Sequence, residues 1–263
     1  MDLHLKHKSV FVAASSKGLG RAMALQYARE GALVTIASRN EEELRVAQAD
    51  ITAATGIRPL VQRMDVSSAS DVQAAIAAAA DAHGGIDVLV TNAGGPPSGS
   101  FEAFADEDWQ SSFEVNLLSV VRLIREALPH LREASDGGRI VNIASTSIKQ
   151  PTEGLILSSV FRAGVHALTR SLATELGPDG ILVNTVSPGR IGTDRIVQLD
   201  RARADQLGIP VEQVQAAAVS QIPLGRIGTP EEFAAMAVFL GSFANTYVTG
   251  QSLLIDGGTV KSI

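Results

Sequence analysis

Seven short runs of aliphatic and β-branched residues recur along the chain: SVFVA (9–13), LVTIA (33–37), PLVQRMD (59–65), DVLVTN (87–92), RIVNIA (139–144), ILVNTVS (181–187) and SLLID (252–256). Segments of helical periodicity stand between them, over 19–30, 41–55, 68–83, about 106–131, 155–176 and 230–240. That alternation leaves few folds open. Nearly continuous apolar runs belong to strands buried on both faces, and a strand, helix, strand rhythm joins neighbours in parallel through right-handed crossovers. The pattern predicts one α/β domain over 1–263, doubly wound around a mostly seven-stranded parallel sheet. In such sheets ligands bind in the crevice beyond the carboxyl ends of the strands, so the residues just after each run carry the functional reading.

One segment breaks the rhythm. Residues 190–229 run from the sixth strand to the last helix, with too much helical pattern for a plain loop. A long excursion at the ligand edge reads as a lid over bound substrate, and the plainer alternative is a surface insertion or an oligomer contact. Within it Arg190, Arg195, Arg201 and Arg203 interleave with Asp194, Asp200 and Asp205, which reads as a solvated mixed-charge face.

Charge and composition narrow the chemistry. A formal net charge of −6 provides no general basic field, so neither nucleic acid nor an anionic membrane is expected as a partner. The first ten residues, MDLHLKHKSV, lack the apolar stretch of a signal peptide, and no run approaches a membrane span, which predicts a soluble cytoplasmic protein. With no cysteine and five scattered histidines, neither thiolate nor metal chemistry is expected.

The first strand runs directly into AASSKGLGRAMA (13–24), where Gly18 and Gly20 open a helix. Glycines there let backbone amides approach a pyrophosphate at the positive end of the helix dipole. With NAGG (92–95) after the fourth strand, VNTVSPG (183–189) in the sixth and VTGQSLLIDGG (248–258) at the end, almost the whole chain resembles the short-chain dehydrogenase/reductase family. The resemblance is to its 3-oxoacyl-acyl-carrier-protein reductase-like branch, which implies a Rossmann-type fold, a homo-oligomer, specifically a tetramer, and a small-molecule carbonyl or acyl substrate. It also implies cofactor contacts from Ala14, Ser16, Lys17, Gly18, Leu19 and Gly20, from Asp65 and Val66 at the adenine, and from Asn92, Ala93, Gly94, Pro188, Gly189 and Thr193 toward the nicotinamide. The family usually reads Thr-Gly-x-x-x-Gly-x-Gly at its phosphate loop; here Ala13 and Ala14 stand at the first two places.

Cofactor choice turns on the end of the second strand. An acidic side chain there holds the ribose hydroxyls of NAD, whereas a cation accommodates the 2′-phosphate of NADP. This chain has Ser38 at that place, Arg39 next to it and Lys17 in the glycine loop, with no carboxylate in sequence to oppose a phosphate, so NADP(H) is expected.

Family enzymes use an Asn, a Ser, a Tyr and a Lys. Asn116 in EVNLLSV and Ser145 in IVNIAS match the first two, while the family's spacing from Ser145 lands on Ser158 and, one helical turn further, on Arg162. The only tyrosines, Tyr27 and Tyr247, lie far from this register. A serine is a weaker acid than a phenol, and an arginine stays protonated where a lysine could relay. The expectation is an oxidoreductase acting on a carbonyl or secondary alcohol at an atypical site, with water, Ser158 or Lys149 as candidate proton sources. The alternative is a non-catalytic dinucleotide-binding or interaction protein on the same fold. Pro96, Pro97, Phe101, Phe104 and Trp109 are candidates for an apolar wall or for simple packing.

Overall fold

A computed structural model describes residues 1–262. Seven strands, β1 (Ser9–Ala13), β2 (Leu33–Ser38), β3 (Leu60–Arg63), β4 (Val88–Thr91), β5 (Arg139–Ile143), β6 (Leu182–Pro188) and β7 (Ser252–Ile255), pair in the order β3-β2-β1-β4-β5-β6-β7. Every pairing is parallel. Alternate residues of each strand feed opposite layers. Val10 and Val12 join Met23, Tyr27, Leu44, Ile51 and Phe233 on one side, while Phe11 and Ala13 join Val72, Ile76, Leu123 and Val165 on the other. The first layer is closed by α1 (Gly18–Arg29), α2 (Glu41–Thr55) and, near the end of the chain, α9 (Pro230–Leu240); α3 (Ala69–His83), α5 (Ser119–Glu133) and α6 (Ile156–Leu176) close the second.

Local chemistry sets the helix ends. Asn40 accepts from the amides of Glu42 and Glu43 to start α2, Ser68 accepts from Asp71 to start α3, and Thr229 with Glu232 forms a reciprocal capping box at α9. The stretch expected as one helix over about 106–131 is divided. After α4 (Asp106–Phe113) the backbone widens into a π turn over Glu114–Leu118 before α5 resumes. Such turns persist where something holds them open, and here that is the site described below.

The chain order reverses direction between β1 and β4, so their carboxyl ends flank the crevice where a ligand settles. The excursion after β6 folds into α7 (Asp194–Leu207) and α8 (Val211–Ser220). Its two ends are tied together: the Gly192 amide donates to the Gly228 carbonyl and the Gly228 amide to the Arg190 carbonyl, both at 2.9 Å.

Candidate active site

The loop after β1 is built from backbone packing. Ser15 donates its hydroxyl to the Val12 carbonyl at 2.7 Å and accepts from the Ala37 amide at 2.9 Å, which locks the turn to both central strands. A Cβ at Gly20 would collide with the Ala14 carbonyl, so only glycine fits there. The same carbonyl accepts from Asn92 Nδ2 at 3.2 Å, linking this loop to the one after β4. Helix α1 begins at Lys17 without a side-chain cap and without an acid in its first turn, which leaves its leading amides free for an anion.

Ala14 itself sits at φ +47°, in the left-handed region that disfavours a Cβ. Ala14→Gly should relieve about 1–2 kcal/mol of that strain, and a more flexible unfolded chain offsets about 0.4–1 kcal/mol of it. The expected result is a melting temperature higher by roughly 2 °C, read by thermal unfolding; a lower one would show that the loop tolerates the methyl group without strain.

At the end of β2 the structure corrects the sequence reading. Ser38 and Arg39 follow Ala37, which is bonded to Ser15 of the glycine loop, but a carboxylate stands at that loop. Glu43, in the first turn of α2, accepts from Ser16 Oγ at 3.0 Å and stands 3.5 Å from Lys17 Nζ. Across the corner, Asp65 accepts from the amide and the hydroxyl of Ser67. Burial works against its ionised form, yet those two bonds and Arg39 outweigh it and hold the carboxyl below its ordinary range. Val66 beside it is buried.

Beyond β4 and β5 the candidate catalytic residues converge in part. Arg162, from the second turn of α6, is only 4% exposed. Its guanidinium donates to the carbonyl of Ile143 at 2.5 Å, to the carbonyl of Ala93 at 3.3 Å and to Asn116 Oδ1 at 3.0 Å. Asn116, buried in the π turn, donates its own Nδ2 to the Ser112 carbonyl at 3.2 Å, one turn back in α4. Arg162 and Asn116 therefore hold each other, and through the Ala93 and Ile143 carbonyls they bind together the ends of two central strands. Burial, with Arg195 adding repulsion, brings the Arg162 guanidinium down to about 10, so it stays charged at neutral pH.

Ser145, two residues past β5, accepts twice from Ser147, from its amide at 3.2 Å and its hydroxyl at 2.9 Å. With both lone pairs engaged, its own proton is left to donate outward. Ser147 was not singled out from sequence; a second serine two residues on is the only signal there. Ser158 lies one turn before Arg162 on α6, half-buried, with no hydrogen bond from its hydroxyl among the described residues. Lys149 is exposed. Neither phenol approaches: Tyr27 is buried within α1, where desolvation pushes its pKa up, and Tyr247 is 96% exposed ahead of β7.

Two walls face this floor. Phe101, Trp109 and Phe161 stack edge to face with centroids 6.1 and 5.9 Å apart, forming an aromatic run from the loop after β4 to the residue beside Arg162. The Gly99 amide donates to the Gly154 carbonyl at 2.8 Å, joining that loop to the start of α6, while Phe104 packs on Gly99. Opposite, Thr193 places its methyl group over Gly18, and Gly189 packs tightly against Asp256. A cleft of about 420 Å³ lies between α7 and α8, lined by Thr193, Val197, Val219 and Ile227. The arginines of this segment do not form one solvated face: Arg190 pairs with the buried Asp200 and Arg203 with Glu153, but Arg195 turns inward and donates to the Pro96 carbonyl at 2.6 Å.

Residues 13–260 match the family described as enoyl-(acyl carrier protein) reductase. The chain belongs to the short-chain dehydrogenase/reductase family. Among its short-chain relatives is a 3-oxoacyl-[acyl-carrier-protein] reductase of Chlamydia pneumoniae, 35% identical over 260 residues that span 98% of this chain and 99% of that protein. The L-sorbose reductase of Gluconobacter frateurii, solved with NADPH and L-sorbose, superposes with a TM-score of 0.94 at 31% identity over 100% of both chains. A variant of actinorhodin polyketide ketoreductase, solved with NADPH, superposes with a TM-score of 0.91 at 32% identity over 96% of this chain and 97% of that one. Among the described residues of this short-chain family member, no helix is long and apolar enough to cross a membrane and no group of three metal-ligating side chains is gathered.

Proposed function

We propose that the protein is an NADP(H)-linked oxidoreductase that interconverts a carbonyl and a secondary alcohol on a small molecule, at an atypical site where Ser158 and Arg162 replace the family's tyrosine and lysine. The observation that carries this reading is the Arg162 cluster: a buried cation bonded to Asn116 and to the Ile143 carbonyl, two residues before the outward-donating Ser145. Arg162 ties the strand ends but has no carboxylate partner among the described residues, which leaves its positive charge available to a ligand. A relative named as a 3-oxoacyl-[acyl-carrier-protein] reductase and structure neighbours solved with NADPH support the same reading.

The residues fit the cofactor. Uncapped amides of α1 with Ser16, Gly18, Leu19 and Gly20 suit a pyrophosphate, Lys17, Ser38 and Arg39 suit a 2′-phosphate, and Asp65 with Val66 suits the adenine. Asn92, Ala93, Gly94, Pro188, Gly189 and Thr193 would hold the nicotinamide half, as the family resemblance implies. When bound, the nicotinamide supplies or accepts the hydride. Ser145 would donate to the substrate oxygen, the buried Arg162 charge would favour negative charge developing near it, and Ser158 or a water beside it would deliver the proton. Segment 190–229, tied at its neck, acts as the lid.

Glu43 now has a role. Its carboxylate occupies Lys17, one of the two cations that a 2′-phosphate needs, and is released when the phosphate arrives. Glu43→Gln should tighten NADPH by about three-fold, the scale of one partly exposed charge contact, and leave NADH within two-fold. Equal changes for both cofactors, measured by fluorescence titration, would place Glu43 outside the phosphate's reach. Arg39→Ala should instead erase the NADPH preference.

The absence of a nearby phenol favours a second reading, a dinucleotide-binding protein without turnover. Titration followed by NADPH consumption across a panel of ketones separates the two. Binding without consumption supports the second reading, and no binding removes both. The assembly belongs to the proposal as well: exposed Val160 on α6 and Tyr247 with Val248 before β7 support a homotetramer through 106–131, α6 and the carboxyl-terminal segment. Light scattering that reports a monomer at micromolar concentration would overturn the assembly.

A further inference from the structure

Arg162 and Arg195 reach the same short loop from opposite sides. Arg162 donates to the Ala93 carbonyl and Arg195 to the Pro96 carbonyl, so three residues of chain, at most about 10 Å, separate the two anchoring points. Between them lie Gly94 and Gly95, both exposed and without side chains. A Cβ at Gly95 would come within 3.0 Å of Arg195 Nε, whereas nothing stands within 4 Å of the corresponding position at Gly94. The floor between the two guanidinium groups is bare backbone, with open space above it.

Neither arginine has a carboxylate. Among the described residues every other ion pair is made elsewhere, and the acids next in sequence to Arg195 do not turn toward it. Arg195 uses one donor of five, and half-burial already works against its charge, as full burial and Arg195 together do for Arg162. Two like charges held close together at the edge of a cleft, both short of acceptors, are balanced when an anion enters between them. The cofactor's pyrophosphate belongs at the other side, where Thr193 meets Gly18; Arg195, two residues later, reaches Pro96, on the loop that continues into Phe101 and so into the aromatic run of Phe101, Trp109 and Phe161.

We infer that the substrate carries a carboxylate, seated on Arg195 with Arg162 behind it, and an aromatic or apolar portion that rests on Trp109 and Phe101. This inference rests on the oxidoreductase reading for its setting. Its test does not depend on turnover. Calorimetry compares 3-phenylpropanoate with its neutral analogue 3-phenylpropanamide, each with and without saturating NADP⁺. The carboxylate should bind about ten-fold or more tightly than the amide, as a bidentate guanidinium contact implies. In Arg195→Gln the two should fall within two-fold of each other, while Arg195→Lys keeps part of the preference. The amide serves as the internal control, because its unchanged affinity in Arg195→Gln shows that the lid still packs. Equal affinities in the parent protein, binding of neither probe, or a preference that survives Arg195→Gln would overturn the inference. So would a preference seen only without NADP⁺, which assigns the arginines to the cofactor's phosphates. Should NADP⁺ itself not bind, the oxidoreductase reading fails, and the probe comparison on the free protein still decides this one.

Discussion

Replacing Arg162 with leucine is expected to lower the melting temperature by about 5–15 °C. The side chain fits the space by size, so the loss comes from acceptors. The carbonyls of Ala93 and Ile143 and the Oδ1 of Asn116 would each be left buried without a donor, at about 1–3 kcal/mol apiece. Removing a buried charge returns part of this, because the guanidinium no longer has to be desolvated. The net is a loss of about 2–4 kcal/mol, and a domain of this size shifts about 2–4 °C for each. Asn116 would also lose the partner that opposes its bond to Ser112, and the π turn would be free to relax toward a regular helix. Arg162→Lys keeps a charge and three donors but not the planar fork, so it should lose about half as much. Thermal unfolding of the two variants beside the parent decides the matter. A leucine variant that melts within about 2 °C of the parent would show that the strand ends stay joined without the cation, and that Arg162 serves only a ligand.

The parts of the molecule that could be read from sequence are those whose signal is local. Five strands lie within runs of apolar residues found by inspection and the other two, β2 and β6, extend one residue past theirs, because burial on both faces removes the polar interruptions that blur other elements. The caps at Asn40, Ser68 and Thr229 are also local chemistry. What escaped depends on partners far apart in sequence. The π turn exists because Asn116 is held by Arg162, 46 residues away, and nothing in EVNLLSV itself breaks a helix. Glu43 reads as an ordinary acid in the first turn of a helix, where the dipole favours one; only the folded chain brings it to Lys17, 26 residues earlier. Arg195 sits in a stretch of alternating charges and reads as solvated, yet it bonds to a carbonyl 99 residues away. Arg139, the first residue of β5, is buried against Phe243 with bonds to the carbonyls of Ser242 and Asn245, and no pattern in RIVNIA announces that.

The double variant Ser158→Tyr with Arg162→Lys is expected to raise NADPH-dependent carbonyl reduction by up to about 10²- to 10⁴-fold, the range supplied by a positioned general acid. Ser158 and Arg162 are one turn apart on one face of α6, so a phenol and an ammonium at these positions point the same way. Ser158 is half-buried and its hydroxyl has no partner among the described residues, so its replacement breaks no bond described there. The lysine change has a cost: one ammonium cannot reproduce both arms that Arg162 extends to Ile143 and to the Ala93 and Asn116 pair, and about 1–2 kcal/mol of stability is lost with them. Its benefit is a cation beside the phenol that favours the phenolate and brings the phenol's pKa toward the working range. Each single change should therefore do less than the pair. Tyrosine beside the engaged arginine keeps a higher pKa, and lysine without tyrosine has no acid to tune. Steady-state rates on a ketone panel, with NADPH binding and melting temperature measured on the same samples, separate the outcomes. A folded, NADPH-binding double variant with no gain on any ketone would mean that Phe161, Trp109 and the inward Arg195 have reshaped the pocket for a substrate that a phenol cannot serve. Brisk turnover by the parent would place the proton source elsewhere, with the Ser145 and Ser147 hydroxyl pair the first group to test.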